Sequence, residues 1–257
     1  MTENIIPSKI SYSKAVDIKR LDFIAKSIEL HTSGESKVLD VGCGNGLISM
    51  QLGQLGYNVK GIDISEKAIS KAKAKNTLPN VSFEVADAEE LSIQNQKYDV
   101  VICSEVLEHL HEPGNMLETL RELIAEKGIL IVTVPNGRGP REVLITKPMQ
   151  WMQSKAPFVW GMVRKGKGLL GYDGKTEQSD ADDLTHIHFF TKRNLKDLSK
   201  EKGFELLTFG KANFVGDVFP FSFFIKRSLK LQQLDCKTAD LLPHYFTCGF
   251  NTVWAKK

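Results

Sequence analysis

Residues 38–46 read VLDVGCGNG, an apolar run that leads directly into three glycines, Gly42, Gly44 and Gly46. The aliphatic residues before the loop predict a short strand, and the sequence after it predicts a helix. Glycine has no Cβ, so glycines at alternate positions let the backbone pass close to a ligand. The same loop could be an ordinary tight turn, and its surroundings have to decide between these two interpretations.

Short runs rich in β-branched residues alternate with helical patterns along most of the chain. The first five predicted strands span residues 37–41, 58–63, 81–86, 98–103 and 128–134. Two more are predicted at 204–209 and 245–255. This alternation is typical of right-handed βαβ units, so we predict an α/β fold with a doubly wound, mostly parallel sheet and helices on both faces.

We expect the 257 residues to form one domain with four segments. These are an N-terminal helical segment (1–36), a cofactor-binding core (37–136), an insertion predicted to form a substrate lid (137–185), and the C-terminal part of the sheet (186–257) with an apolar insertion (217–243). The N-terminal helix is predicted because Ile18, Leu21, Ile24 and Ile28 recur at spacings of three and four.

Composition excludes several classes of protein. The net charge of +3 gives no support for a general nucleic-acid-binding surface. The four cysteines form no CxxC pair, which argues against a zinc knuckle and a redox motif. No secretory signal is recognised, and no apolar run is long enough to span a bilayer. We therefore expect a cytoplasmic protein.

Acidic residues after the second and third strands favour a nucleoside cofactor. Asp63 ends the second predicted strand 21 residues after Gly42, where a carboxylate can accept hydrogen bonds from both ribose hydroxyls. A dinucleotide-binding loop requires G-x-G-x-x-G, but position 47 is Leu and the third glycine is Gly46. A nicotinamide-dependent oxidoreductase is therefore the second interpretation. Asp87 follows the third strand, where it could equally cap a helix.

The pattern from residue 38 to about residue 136 resembles class I S-adenosylmethionine-dependent methyltransferases. The resemblance implies a Rossmann-like sheet of seven strands with an antiparallel last strand. It also implies that the glycine loop meets the methionine part of S-adenosylmethionine, that Asp63 holds the ribose, and that Asp87 and the Ala88 N–H contact the adenine. The full cofactor-binding set that it implies is Asp40, Gly42, Gly44, Gly46, Asp63, Ile64, Asp87, Ala88 and Ser104.

Three polar residues follow the fourth strand, at the sheet edge where open α/β sheets bind ligands. If residues 105–109 are helical, Glu105, Glu108 and His109 share one face and can reach a common cation. Two carboxylates and an imidazole suit Mg²⁺, Mn²⁺ or Zn²⁺. Spacing alone leaves open a solvated helix start, or a Glu108–His109 pair without metal.

The segment EVLEH resembles the E-x-x-E-H metal motif of ubiquinone-pathway O-methyltransferases and of small-RNA 2′-O-methyltransferases. In the RNA enzymes a second histidine completes the site, and His186 occupies the corresponding position here. The resemblance therefore implies a divalent metal held by Glu105, Glu108, His109 and His186. The sequence departs from that motif at Thr185 and His188, which leaves the choice between His186 and His188 open.

We expect O-methyl transfer, with Glu105, Glu108 and His109 as catalytic residues. An acceptor hydroxyl must lose its proton, either to a base such as His109 or because a metal lowers its pKa. The apolar insertions favour a small, rather apolar or lipid-linked acceptor, and peripheral membrane contact is compatible with their basic residues. The alternative acceptor is RNA, methylated on its 2′-oxygen. An alternative of another class is a protein that binds S-adenosylmethionine without catalysing methyl transfer.

Overall fold

The computed structural model describes residues 14–32, 36–92, 96–155 and 186–257. Its strands are β1 (Lys37–Val41), β2 (Asn58–Asp63), β3 (Val81–Val85), β4 (Tyr98–Ser104), β5 (Ile124–Pro135), β6 (Phe204–Lys211) and β7 (Gly249–Lys256). Its α-helices are α1 (Ala15–His31), α2 (Leu47–Gln54), α3 (Glu66–Lys75), α4 (Ala88–Ser92), α5 (Pro113–Leu123), α6 (Lys147–Lys155), α7 (Lys192–Glu201), α8 (Phe221–Ile225) and α9 (Leu229–Leu241).

The strands form one sheet in the order β3-β2-β1-β4-β5-β7-β6. β1 to β5 pair in parallel with their neighbours, whereas β7 runs antiparallel to both β5 and β6. This confirms the predicted seven-stranded, doubly wound and mostly parallel fold with an antiparallel last strand. Because the parallel strands share one direction, the loops that follow β1 to β4 collect at one edge of the sheet.

Helices cover both faces of the sheet and bury its apolar residues. One buried cluster joins Leu39, Val101 and Leu130 of the strands to Leu117 of α5 and Leu195 of α7. The cluster on the other face joins strand residues to α1, α2 and α3. Its helical members include Leu21, Ile24, Ile28, Leu52 and Ile69. The central strands are rich in aliphatic residues because both of their faces are largely buried.

Two strands start at a different residue from the one predicted, and several strand ends differ by one or two residues. β5 starts at Ile124 instead of residue 128, since Ile124 pairs with Tyr98 before a register shift in the β4–β5 ladder. β7 starts at Gly249 instead of residue 245, because His244–Phe246 forms a 3₁₀ turn. Neither shift was visible as a change in hydrophobic pattern.

The described part of the first insertion consists of a π-helical turn, Glu142–Thr146, that continues into α6. Residues 156–185 lie outside the described residues, so the prediction of a substrate lid there stays a prediction. The second insertion contains α8 and α9. Among the described residues, no helix combines the length and the hydropathy needed to cross a membrane.

Candidate active site

The glycine loop between β1 and α2 requires glycine at its first and third glycine positions. Gly42, Gly44 and Gly46 all have positive φ, at 70°, 55° and 77°. A Cβ on Gly42 would lie 2.4 Å from Val106 Cγ2, and one on Gly46 would lie 2.4 Å from Phe83 Cζ. Phe83 of β3 and Val106, just after β4, therefore pack tightly against this loop and leave no room for a side chain at Gly42 or Gly46.

Asp63 lies at the end of β2 and is connected directly to the glycine loop. Its Oδ2 accepts the Gly44 N–H at 2.9 Å, and its Oδ1 accepts the Ser65 N–H at 2.8 Å. The side chain keeps partial solvent exposure, and the next residue, Ile64, is 76% exposed. The predicted ribose carboxylate is thus positioned at the sheet edge beside the loop.

Asp40 differs from the other predicted cofactor residues because its side chain points into the protein. It is 1% exposed, and its Oδ2 accepts a hydrogen bond from Ser49 Oγ at 2.6 Å. This bond joins β1 to α2 across the glycine loop. Burial raises the pKa of Asp40 to about 7, although the Ser49 hydrogen bond opposes that rise. The geometry gives Asp40 a bracing position under the loop.

Replacing Asp40 with asparagine should reduce the loss of stability that occurs as the pH rises from mildly acidic to neutral values. The unfolded chain ionises this carboxyl from about pH 4, while the folded chain keeps its proton until about pH 7, so its stabilisation is lost as pH rises between these values. We expect urea unfolding to show a smaller fall in the free energy of unfolding from about pH 5 to about pH 8 in Asp40→Asn. Asp197→Asn, at an exposed helical site, is the control. Parallel pH curves for the wild type and Asp40→Asn would contradict the expectation.

Asp87 and Ala88 follow β3 at the same edge of the sheet. Asp87 is exposed, and its backbone carbonyl accepts the Glu90 N–H at 3.1 Å as α4 begins. Ala88 is buried. The end of β3 pairs with the end of β2, so both residues lie near Asp63.

The start of the EVLEH segment does not form the predicted helical face. Glu105 has φ +58, which is uncommon for a residue with a side chain, and only Leu107–His109 forms a 3₁₀ turn. Ser104 Oγ lies 2.9 Å from Thr133 Oγ1, and the Thr133 hydroxyl donates to Glu105 Oε1 at 3.0 Å. Glu105 Oε2 lies 3.5 Å from an Arg20 nitrogen. Glu105 is therefore turned toward β5 and α1.

Three of the four predicted metal ligands come together. Ligand atoms of Glu108, His109 and His186 all lie within 4.8 Å of one another, whereas Glu105 is not a member of this group. His109 Nε2 is 3.7 Å from Glu108 Oε1, and the two imidazole rings meet edge to face at 5.2 Å. Residues 78 positions apart in sequence thus share one small polar site.

Glu108 is almost completely buried, with 1% exposure. Within the described residues its Oε2 has no hydrogen-bond partner. Burial, together with the negative charge of Glu105, raises its pKa well above the usual value. A carboxyl group in this position is stabilised either by keeping a proton or by meeting a cation.

Glu142 is a site residue that sequence reasoning did not identify. It lies on the π-helical turn after β5 and has no exposed surface. Its Oε1 is 3.4 Å from His186 Nδ1, and neither carboxylate oxygen has a hydrogen-bond partner among the described residues. π-helical turns often occur at functional sites. The residues that follow Glu142 in this turn, VLIT, form no motif that would predict it.

The structure places His186, and not His188, in this cluster. The N–H groups of Ile187 and His188 both donate to the Glu108 carbonyl, at 2.8 and 3.0 Å. The His188 ring turns away, with Nε2 3.1 Å from the His111 carbonyl, and stacks on Phe190. His186 therefore joins the cluster, while His188 holds the segment in place.

This strand order, with a glycine loop after β1 and an acidic residue after β2, defines a class I S-adenosylmethionine-dependent methyltransferase. A family model described as a methyltransferase domain matches residues 16–208. The chain belongs to this methyltransferase family and is an S-adenosylmethionine-dependent enzyme. The alternatives of a nicotinamide-dependent oxidoreductase and of a non-catalytic binding protein are thereby set aside.

Two similar proteins are ubiquinone biosynthesis O-methyltransferases. A ubiquinone biosynthesis O-methyltransferase of Coxiella burnetii is 31% identical over 193 residues, which cover 71% of this chain and 78% of the relative. The protein of the same name from Rickettsia bellii is 38% identical over 120 residues, covering 46% and 50% of the two chains.

Solved structures share the fold at low sequence identity. The magnesium protoporphyrin IX methyltransferase of Synechocystis, solved with bound SAH, has a TM-score of 0.54 at 19% identity, over 93% of this chain and 82% of the other. An S-adenosylmethionine-dependent methyltransferase of Clostridium acetobutylicum has a TM-score of 0.59 at 13% identity, over 93% and 91%.

Proposed function

We propose that the enzyme transfers a methyl group to a hydroxyl oxygen of a small, apolar or lipid-linked acceptor. The observation that carries this proposal is the partly buried cluster of Glu108, His109 and His186 at the carboxyl end of β4. A hydroxyl needs help to lose its proton, and a site of imidazoles and carboxylates can give it. The named O-methyltransferase relatives support the same reaction.

The cofactor would lie across the ends of β1 to β4. The Gly42–Gly46 backbone would contact its methionine part, Asp63 would accept hydrogen bonds from the ribose hydroxyls, and Asp87 with the Ala88 N–H would bind the adenine. The sulfonium methyl is already electrophilic, so the protein mainly has to align the acceptor oxygen with it and exclude water. Ser104, next to Glu105 at the end of β4, would complete the cofactor site on this side.

The residues of the cluster fit a divalent cation. Glu108 Oε2 and His186 Nδ1 are buried polar atoms without hydrogen-bond partners in the described chain, and Glu142 adds an uncompensated carboxylate beside them. We propose that Glu108, His109 and His186 hold the cation, and that Glu142 orients the His186 ring, as carboxylates commonly do for metal-binding histidines. A bound divalent cation would lower the pKa of the acceptor hydroxyl. Arg20 and Thr133 keep Glu105 beside this site with its charge partly balanced.

Methyl transfer from labelled S-adenosylmethionine tests the proposal with matched acceptors. We expect a long-chain alkyl catechol to be methylated on oxygen, and the corresponding alkyl aniline and thiophenol to be poor acceptors. Removing metal with EDTA should lower the rate about 100-fold or more, and Mg²⁺ or Mn²⁺ should restore it.

The outcomes separate the parts of the proposal. Methylation of nitrogen or sulfur alone would contradict the O-methyltransferase assignment. Full O-methylation by protein shown to be free of metal would contradict the cation and favour His109 as the base that accepts the proton.

A further inference from the structure

The segment 219–234, which contains α8 and the first half of α9, exposes an unusual number of large apolar side chains. Phe219 is 71% exposed, Phe224 61% and Leu234 59%. Phe221, Phe223, Leu229 and Leu231 each expose between 45% and 53% of their surface. We call these residues, with the cations among them, the 219–234 surface. Contiguous exposed apolar side chains of this kind mark an interaction site.

The charges on this surface all have the same sign. Lys226, Arg227 and Lys230 are exposed, and residues 219–234 contain no Asp or Glu. Asp217, just before the surface, lies 3.9 Å from Lys226. Asp235, just after it, is buried and accepts backbone N–H groups from Phe214, Val215 and Gly216. Cations interleaved with phenylalanine and leucine suit an anionic lipid interface, where apolar groups insert and lysine and arginine meet the headgroups.

The surface is held on the body of the protein by specific contacts. Lys19 of α1 donates to the carbonyls of Ala212 and Cys236 and pairs with Asp240 at 2.7 Å. The Ala15 N–H donates to Gln232 Oε1 at 2.9 Å. The side of α9 that carries Asp235, Cys236 and Ala239 thus faces the protein, which leaves Leu229, Leu231 and Leu234 exposed on the outside.

The surface extends from the edge of the sheet that carries the candidate active site. In the sheet, Pro135 at the carboxyl end of β5 pairs with Gly249 at the start of β7. Lys211 at the end of β6 pairs with Phe250, the next residue of β7. The connection 212–248 therefore leaves and re-enters the sheet at this edge. Asn136 Nδ2 fastens it there by donating to the carbonyls of His244 and Thr247 at 2.9 and 2.7 Å.

We propose that the 219–234 surface docks the enzyme on an anionic membrane, with the catalytic edge toward the lipid. The positive charges argue against a second copy of the chain as the partner. In a two-fold contact the lysines and arginine of one copy would face those of the other, and the 219–234 surface has no acidic residue that could compensate them. The docking itself needs neither acceptor nor methyl donor. Only its benefit for a lipid-linked acceptor rests on the proposed function.

Vesicle sedimentation of the full chain tests the docking without any acceptor. We expect binding to phosphatidylcholine vesicles that contain phosphatidylglycerol, weaker binding to phosphatidylcholine alone, and release by salt. The double variants Phe223→Ser/Phe224→Ser and Arg227→Glu/Lys230→Glu should each bind anionic vesicles more than about 10-fold more weakly. Leu30→Ser is the matched control, since Leu30 is 77% exposed at the far end of α1, about 22 Å from Ala15.

Thermal unfolding and binding of S-adenosylhomocysteine should be unchanged in all variants, which separates docking from folding and from the methyltransferase site. The proposal is overturned if the wild type does not bind anionic vesicles, or if the two double variants bind like the wild type. It is also overturned if the wild type sediments as a dimer that the phenylalanine variant dissociates, since a second copy would then cover the surface. Failure of the methylation assay has no bearing on these readouts.

Discussion

Asp63→Ala should bind S-adenosylmethionine and S-adenosylhomocysteine about 100-fold more weakly than the wild type, because the variant lacks the charged group that is proposed to accept two hydrogen bonds from the ribose hydroxyls. A second effect acts in the same direction. Asp63 also accepts the Gly44 and Ser65 N–H groups, so its removal frees the backbone of the glycine loop, which is proposed to contact the cofactor. Isothermal titration calorimetry with S-adenosylhomocysteine measures the loss directly.

Asp99→Asn is the matched control for this variant. Asp99 also accepts a backbone N–H, from Lys37 at 2.8 Å, but it lies at the opposite edge of the sheet, where β1 and β4 begin. We expect the Asp99 variant to bind S-adenosylhomocysteine as the wild type does. If Asp63→Ala binds S-adenosylhomocysteine as tightly as the wild type does, the proposed contact between Asp63 and the ribose is wrong.

Glu108→Gln should abolish high-affinity binding of Mn²⁺ and reduce methyl transfer by a factor between about 10² and 10⁴. The amide has nearly the same shape as the carboxyl but carries no charge, so the site loses an anionic ligand while its packing is kept. Glu142→Gln should have a smaller effect, a loss of about 10-fold to 100-fold in Mn²⁺ affinity, because all three proposed ligands remain and only the orientation of His186 is weakened.

The two variants are expected to lose different amounts of Mn²⁺ affinity, and this difference makes the prediction specific. Electron paramagnetic resonance of free Mn²⁺ reports affinity without an acceptor, and the S-adenosylhomocysteine affinity of both variants should stay unchanged. Equal losses in the two variants would show that Glu142 is itself a ligand. Wild-type protein that leaves all Mn²⁺ free would refute the cation site altogether.

The fold was predictable because its decisive signals are local. Gly42 and Gly46 need positive φ and close packing, and the apolar strands between predicted helices are buried on both faces. The predicted starts of β5 and β7 were less exact, since they depend on contacts that the local sequence pattern does not reveal.

The candidate site was predictable only in part, because its geometry depends on non-local contacts. Glu105 leaves the predicted helical face since Thr133 of β5 and Arg20 of α1 fix its carboxylate. His186 rather than His188 joins the cluster because of two backbone bonds to Glu108. Glu142 had no motif at all, and only its burial against His186 reveals it.

The attachment of the 212–248 connection at the catalytic edge affects how the enzyme would meet its acceptor. An enzyme lying on a bilayer by this connection would search for a lipid-linked molecule in two dimensions instead of three. Its methyl donor would still arrive from the aqueous side. The two reactants would then reach one edge of the sheet from different phases, and the local density of acceptor in the membrane would set the rate of encounter.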